Sequence, residues 1–157
     1  MIQMNNVVKK YPNGVVAANG ITIEIKKGEF VYVVGPSGAG KSTFIKLMYR
    51  EEKPTSGDVL INNINLRTLK NGRVPFLRRQ LGVVFQDFKL LPRLTVYENV
   101  AFAMEVIEEQ PKVIRKRVME VLELVGLKHK VRMFPSELSG GEQQRVSIAR
   151  SIVNRPK

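Results

Sequence analysis

The sequence predicts an α/β fold whose first half is rich in strands and whose second half is helical, and three observations carry that expectation. The run FVYVV at 30–34 is apolar at every position, which suits a strand buried on both faces of a sheet. A glycine-rich loop separates it from KSTFIKLMY at 41–49, which has the composition of a helix. Beyond Gln86 the short β-branched runs give way to apolar residues at helical spacing.

Taken in order, MIQMNNVVKKY and ITIEIKKGEFVYVVG hold β-branched and aromatic runs broken by PNG and KKGE, so they predict strands joined by tight turns. After the helix at 41–49 and a PTSG turn, SGDVLINN returns to strand, and LGVVF at 81–85 follows the basic amphipathic piece VPFLRRQ as a further strand. Between Thr95 and Glu108, the residues Val96, Val100, Ala103 and Ile107 fall on one helical face, and Val118, Val121, Leu122 and Val125 repeat the spacing. Pro111 suits the first turn of that second helix and Gly126 its end. A last helix carries Val146, Ala149 and Val153, with Ser139 placed as its N-cap. The expected organisation is one domain in three segments: a β subdomain and loop-bearing core at 1–86, a helical insert at 87–137, and LSGGEQQR with its following helix at 138–157.

Lys and Arg number 26 against 14 Asp and Glu, a net charge of +12 that attracts polyanions such as nucleotides, nucleic acid or an anionic membrane surface. The apolar runs FVYVV and VAFAM are far too short to span a bilayer, and the sequence has no cysteine, which excludes disulfides and thiolate metal sites. A nucleic-acid role is disfavoured because the basic residues are scattered among acidic ones without interleaved aromatics.

The strongest chemical signal is GPSGAGKS, which fits G-x-x-x-x-G-K-[ST] between a predicted strand and a predicted helix. Gly35, Pro36, Ser37, Gly38, Ala39 and Gly40 let the backbone wrap a triphosphate, so that N–H groups from about Gly38 to Thr43 can donate to phosphate oxygens at a helix mouth. Lys41 is the candidate for the β- and γ-phosphates, Ser42 for Mg²⁺, and Thr43 for the α-phosphate. The second signal is LSGGEQQR: a capped helix mouth fronted by small residues is a receptor for an anion.

Together, GPSGAGKST and LSGGEQQR resemble the ABC ATPases, and the resemblance runs from about Ile2 to Lys157. It implies a P-loop NTPase with a RecA-like core, an antiparallel β subdomain and a helical insert. ATP or ADP and Mg²⁺ are the implied cofactors. Tyr11 resembles the aromatic that stacks on adenine, and Gln86 in GVVFQD the glutamine that approaches Mg²⁺ and the attacking water. Lys41 and Gln86 are thus the candidate catalytic residues, with Ser42 and Gln86 on the metal. Ser139, Gly140, Gly141 and Gln143 are implied to contact ATP held by a second subunit, so a homodimer on ATP binding is expected.

Stretches such as VPFLRRQLGVVFQDFKLLP and TVYENVAFAMEVI are most similar to the cell-division branch of the superfamily, which works with the permease-like membrane protein FtsX. Lipoprotein-release and macrolide-export ATPases share much of the rest. That branch implies a peripheral position on the cytoplasmic face of the cell membrane, with the insert around FKLLPRLTVYENV docking the membrane partner.

One departure bears on activity. The family continues from this last helix into an apolar strand that ends in the Walker B aspartate and a catalytic glutamate, then a switch histidine, whereas this sequence stops at RPK. It is expected to be truncated, with its core sheet incomplete, with apolar surface exposed beside the P-loop strand and with ATP binding retained ahead of hydrolysis. His129, the sequence's sole histidine, lies in the helical insert and is expected at a solvated surface.

Overall fold

The computed structural model describes residues 1–156. They form two compact units, Met1–Leu77 and a second that begins at Arg78.

The first unit is built on a four-stranded antiparallel sheet in the order β2-β1-β3-β4. Strand β1 (Ile2–Lys10) pairs with β2 (Val16–Ile25) on one side and β3 (Ser56–Ile61) on the other, and β4 (Ile64–Asn65) extends β3. The PNG turn closes the first hairpin, with Gly14 at φ 87 and Tyr11 N–H donating to Val15 O at 2.8 Å. Met4 and Val7 are both fully buried although their spacing is odd. A left-handed Asn6 (φ 47) breaks the register between them and restores the inward face. Helix α1 (Lys41–Met48) lays Phe44 and Leu47 into this unit's core with Val59, Ile61 and Leu66.

Two predicted strands do not form. FVYVV lies in no strand, and Phe30, Tyr32 and Val34 are 80%, 79% and 85% exposed. LGVVF is likewise outside any strand. A fully apolar strand is stable only between hydrogen-bonded neighbours, and among the described residues none pairs with 30–34. Apolar side chains are thus exposed at 30–34, and the sheet formed among the described residues is the antiparallel one.

Helix α2 (Val74–Arg78) spans the boundary between the units. The second unit is a helical bundle of α3 (Val96–Glu105), α4 (Pro111–Leu124) and α5 (Gly140–Ile152) around Val100, Val118, Leu122, Leu127, Val146 and Ala149. Pro111 opens α4, and the end of α4 is a Schellman motif: Gly126 stands at φ 72, its N–H donates to Glu123 O, and Leu127 N–H donates to Leu122 O at 2.8 Å. The inward face of α3 differs from the expected one. Val96 and Val100 are buried as predicted, but Ala101 and Met104 complete the face, while Ala103 and Ile107 are half-buried. Helix α3 packs on both α4 and α5, which widens its apolar stripe, and Ile107 lies past the helix end. Val125 of the next helix is also only half-buried, with Ile114 in its place.

Candidate functional site

In the first unit the glycine-rich loop leads into α1 through Gly40, its N-cap in the left-handed region at φ 85. A Cβ at Gly40 would lie 2.0 Å from Ala17 O in β2, so only glycine allows this close approach. The first intrahelical bond runs from Phe44 N–H to Gly40 O at 2.8 Å. The N–H groups of residues 40–43 therefore have no partner within the helix, and no acidic residue in the first turn offsets their positive end.

Lys41 folds back over the loop, its Nζ donating to Gly35 O and Pro36 O at 2.7 Å each. Gly35, Pro36, Ser37, Gly38 and Ala39 are exposed around it, as is Ser42. Thr43 is buried, and its hydroxyl is hydrogen-bonded to Tyr11 Oη at 3.1 Å. Sequence reasoning had not linked these two. Tyr11 is half-buried, and the Lys9 ammonium lies 4.9 Å from its ring centroid while pairing with Glu52 at 2.6 Å. The result is a glycine-rich loop under a folded-back lysine, with an aromatic ring anchored to its helix.

In the second unit Gln86 is exposed in a turn, followed by the left-handed residues Phe88 (φ 55) and Lys89 (φ 47). At the mouth of α5, Ser139 is the N-cap of a complete capping box. Its Oγ accepts from Glu142 N–H at 3.4 Å, and its own N–H and O–H donate to Glu142 Oε2 at 2.9 Å each. The other carboxylate oxygen pairs with Lys130 Nζ at 2.6 Å. The Lys130 ammonium, with the Ser139 donors behind it, pulls the Glu142 carboxyl down to about 2. Gly140 and Gly141 are exposed in the first turn, and a Cβ at Gly141 would meet nothing closer than Arg145 Nη1 at 3.9 Å. Gln143 turns its amide inward, donating to Pro135 O and Leu138 O at 3.1 Å each, so it braces the segment that leads to Ser139. His129 is exposed.

Two further features had no sequence signal. Lys130 and Glu142 neutralise each other beside the helix mouth. Arg150 donates from α5 to Phe88 O and Lys89 O across about sixty residues of chain.

The model of the ABC transporter family matches residues 18–157. The cell division ATP-binding protein FtsE of Bacillus subtilis is 72% identical over 156 residues, which are 99% of this chain and 68% of that protein. Its Streptococcus pneumoniae counterpart of the same name is 62% identical over all of this chain and 68% of its own length. A solved structure described as a dimeric post-hydrolysis state of the ATP-binding cassette MJ0796, bound to ADP and Pi, superposes with a TM-score of 0.89 at 39% identity. It covers 99% of this chain and 71% of that one.

Proposed function

Because the chain belongs to the ABC transporter family, we propose that it is the ATP-binding subunit of an ABC-type complex acting in cell division. The observation that carries this reading is the presence in one chain of two glycine-fronted helix mouths of different kinds. One is a glycine loop with a lysine folded over it, and the other is a serine-capped mouth led by two glycines. The FtsE name of relatives at 62% and 72% identity supports the cell-division role.

In this reading Gly35–Thr43 hold the phosphates of ATP or ADP, and Lys41 exchanges the carbonyls of Gly35 and Pro36 for β- and γ-phosphate oxygens. Tyr11 takes adenine on the ring face that Lys9 does not cover. The exposed Ser42 at the mouth of α1 fits a magnesium ligand, and Gln86 is assigned to the metal on the family resemblance. Among the described residues no group of three or more His, Cys, Asp or Glu is placed to hold a metal, so Mg²⁺ here would rest mainly on nucleotide oxygens. Bound magnesium would neutralise charge on those oxygens. Lys41 and Gln86 are the catalytic residues these segments offer; binding and closure are assigned to them, and polarisation of the attacking water is not.

Ser139, Gly140 and Gly141 receive the γ-phosphate held by a second copy, with Gln143 supporting them, and two chains close on two nucleotides. The dimeric description of the MJ0796 cassette supports such closure. Functionally, 1–86 carries the nucleotide, 87–137 meets the membrane partner and 138–157 senses the other copy's ATP. The partner is an FtsX-like integral membrane protein. Among the described residues no helix is long and apolar enough to cross a membrane, so the chain would reach the cytoplasmic face of the cell membrane through that partner. A hollow of about 510 Å³ in the second unit, lined by Tyr97, Glu98, Arg115, Met119 and Arg132 among others, supports docking at the insert.

Lys41→Ala tests the nucleotide reading: losing a charge-assisted donor should weaken ATP at least about tenfold by calorimetry. Unchanged affinity would refute it. Tyr97→Arg should abolish pull-down with the cytoplasmic segments of FtsX while leaving ATP affinity intact; retained pull-down would remove the hollow as the docking surface.

A further inference from the structure

The turn after Gln86 is held by a side chain from far along the sequence. Phe88 and Lys89 are consecutive left-handed non-glycine residues, a backbone that persists only when its surroundings hold it. Their carbonyls converge on one guanidinium: Arg150 Nη2 donates to Phe88 O and Nη1 to Lys89 O, at 2.7 Å each. Arg150 is partly buried, burial lowers its pKa, and among the described residues no carboxylate pairs with it.

A desolvated cation without a countercharge is costly unless dipoles replace the lost water. Here two backbone carbonyls do so, and the planar fork reaches both at once, which a lysine ammonium cannot match. The far side of the same loop is fixed separately, because buried Asn99 of α3 accepts from Leu91 N–H and donates to the carbonyls of Leu91, Leu94 and Thr95. Next to Gln86, local bonds from Phe88 N–H to Phe85 O and from Lys89 N–H to Asp87 O are joined by the long-range contact from α5. Arg150 lies eleven residues after Ser139, about 16 Å along one helix. The helix that presents Ser139 at its mouth therefore grips the Gln86 turn near its other end.

We infer that Arg150 is a positioning residue: by holding the carbonyls of Phe88 and Lys89 it sets the turn that presents Gln86 and ties that turn to α5. This rests on the reading of Gln86 as a magnesium-facing group.

The test compares the full chain as wild type, Arg150→Lys and Arg150→Gln, with Gln86→Ala alone and combined with Arg150→Gln. Amide hydrogen exchange across residues 86–91 should rise about tenfold or more in Arg150→Gln and less in Arg150→Lys, with α3 and α4 unchanged. Equal exchange in all three proteins would overturn the inference. For function, magnesium is titrated into ATP-binding assays. Arg150→Gln should raise the half-saturating magnesium concentration several-fold without changing magnesium-free ATP affinity, and the combined variant should match Gln86→Ala alone. Additive effects would overturn the inference, since Arg150 would then act independently of Gln86. If Arg150→Gln does not fold, Arg150→Lys, which keeps one donor, carries both comparisons. A wild-type chain that binds no ATP would refute the nucleotide reading of 35–43, while exchange across 86–91 would still decide whether Arg150 holds the turn.

Discussion

Gly40→Ala adds one methyl at the point where the loop backbone comes nearest to β2. Gly40 stands at φ 85, where an L-residue costs about 1–2 kcal/mol. The new Cβ would lie 2.0 Å from Ala17 O, so one backbone segment must shift by about an ångström, an overpacking that costs roughly 1–3 kcal/mol. Alanine also restricts the unfolded chain, which offsets about 0.4–1 kcal/mol. The net expectation is a loss of roughly 1–5 kcal/mol from the first unit. Gly38→Ala is the internal control. Its φ of 79 carries similar strain, but nothing lies within 4 Å of the added Cβ, so the overpacking contribution is absent. Urea unfolding read from the amide signals of β1, β2 and β3 scores this unit alone. The Gly40 variant should be the less stable of the two by about 1–3 kcal/mol, and it should also lose ATP affinity, because the displaced N–H groups are those proposed to receive phosphate. Equal stability of the two variants would refute the close approach to β2. Intact ATP affinity in a destabilised Gly40→Ala would refute the loop as the phosphate cradle.

Replacing Ser139 with a bulky residue should cost about 1 kcal/mol through the lost cap and leave ATP binding to a single chain intact, while ATP-driven dimerisation, followed by light scattering, disappears; an equal fall in single-chain affinity would exclude a role in trans. Glu142, held to about 2 by Lys130 and Ser139, gives the second unit stability that is present above the unfolded carboxylate value near 4.5 and lost as pH falls toward 2. Glu142→Gln should therefore be less stable than wild type at neutral pH and converge with it in acid, and parallel acid-unfolding curves would show that the Lys130 contact contributes nothing.

What was readable in the sequence was local. Pro111, Gly126 and Ser139 marked helix ends because caps and left-handed stops act within one turn, and GPSGAGKS was legible because its geometry is set by residues in sequence contact. What was missed depends on distant partners. The face of α3 shifted toward Ala101 and Met104 because two helices cover it, which a single-stripe pattern cannot express. Asn6 resets the phase of β1, and a period-two reading has no place for a left-handed residue inside a strand. The hydrogen bond from Tyr11 to Thr43 and the grip of Arg150 on Phe88 and Lys89 join residues too far apart for any spacing rule.

FVYVV shows where hydrophobic pattern and conformation part company. Its composition specifies an environment, burial on both faces, but a strand is defined by ladder bonds that neighbours must supply. Phe30 and Tyr32 still meet edge to face, with ring centroids 4.8 Å apart, as residues two apart do on extended backbone. The loop that follows does not depend on that pairing: Gly40 is fixed by β2, Lys41 by the carbonyls of Gly35 and Pro36, and α1 by Phe44 and Leu47 in the core. The geometry of the glycine loop is therefore a property of the antiparallel unit and its helix, which is why it is present while residues 30–34 remain exposed.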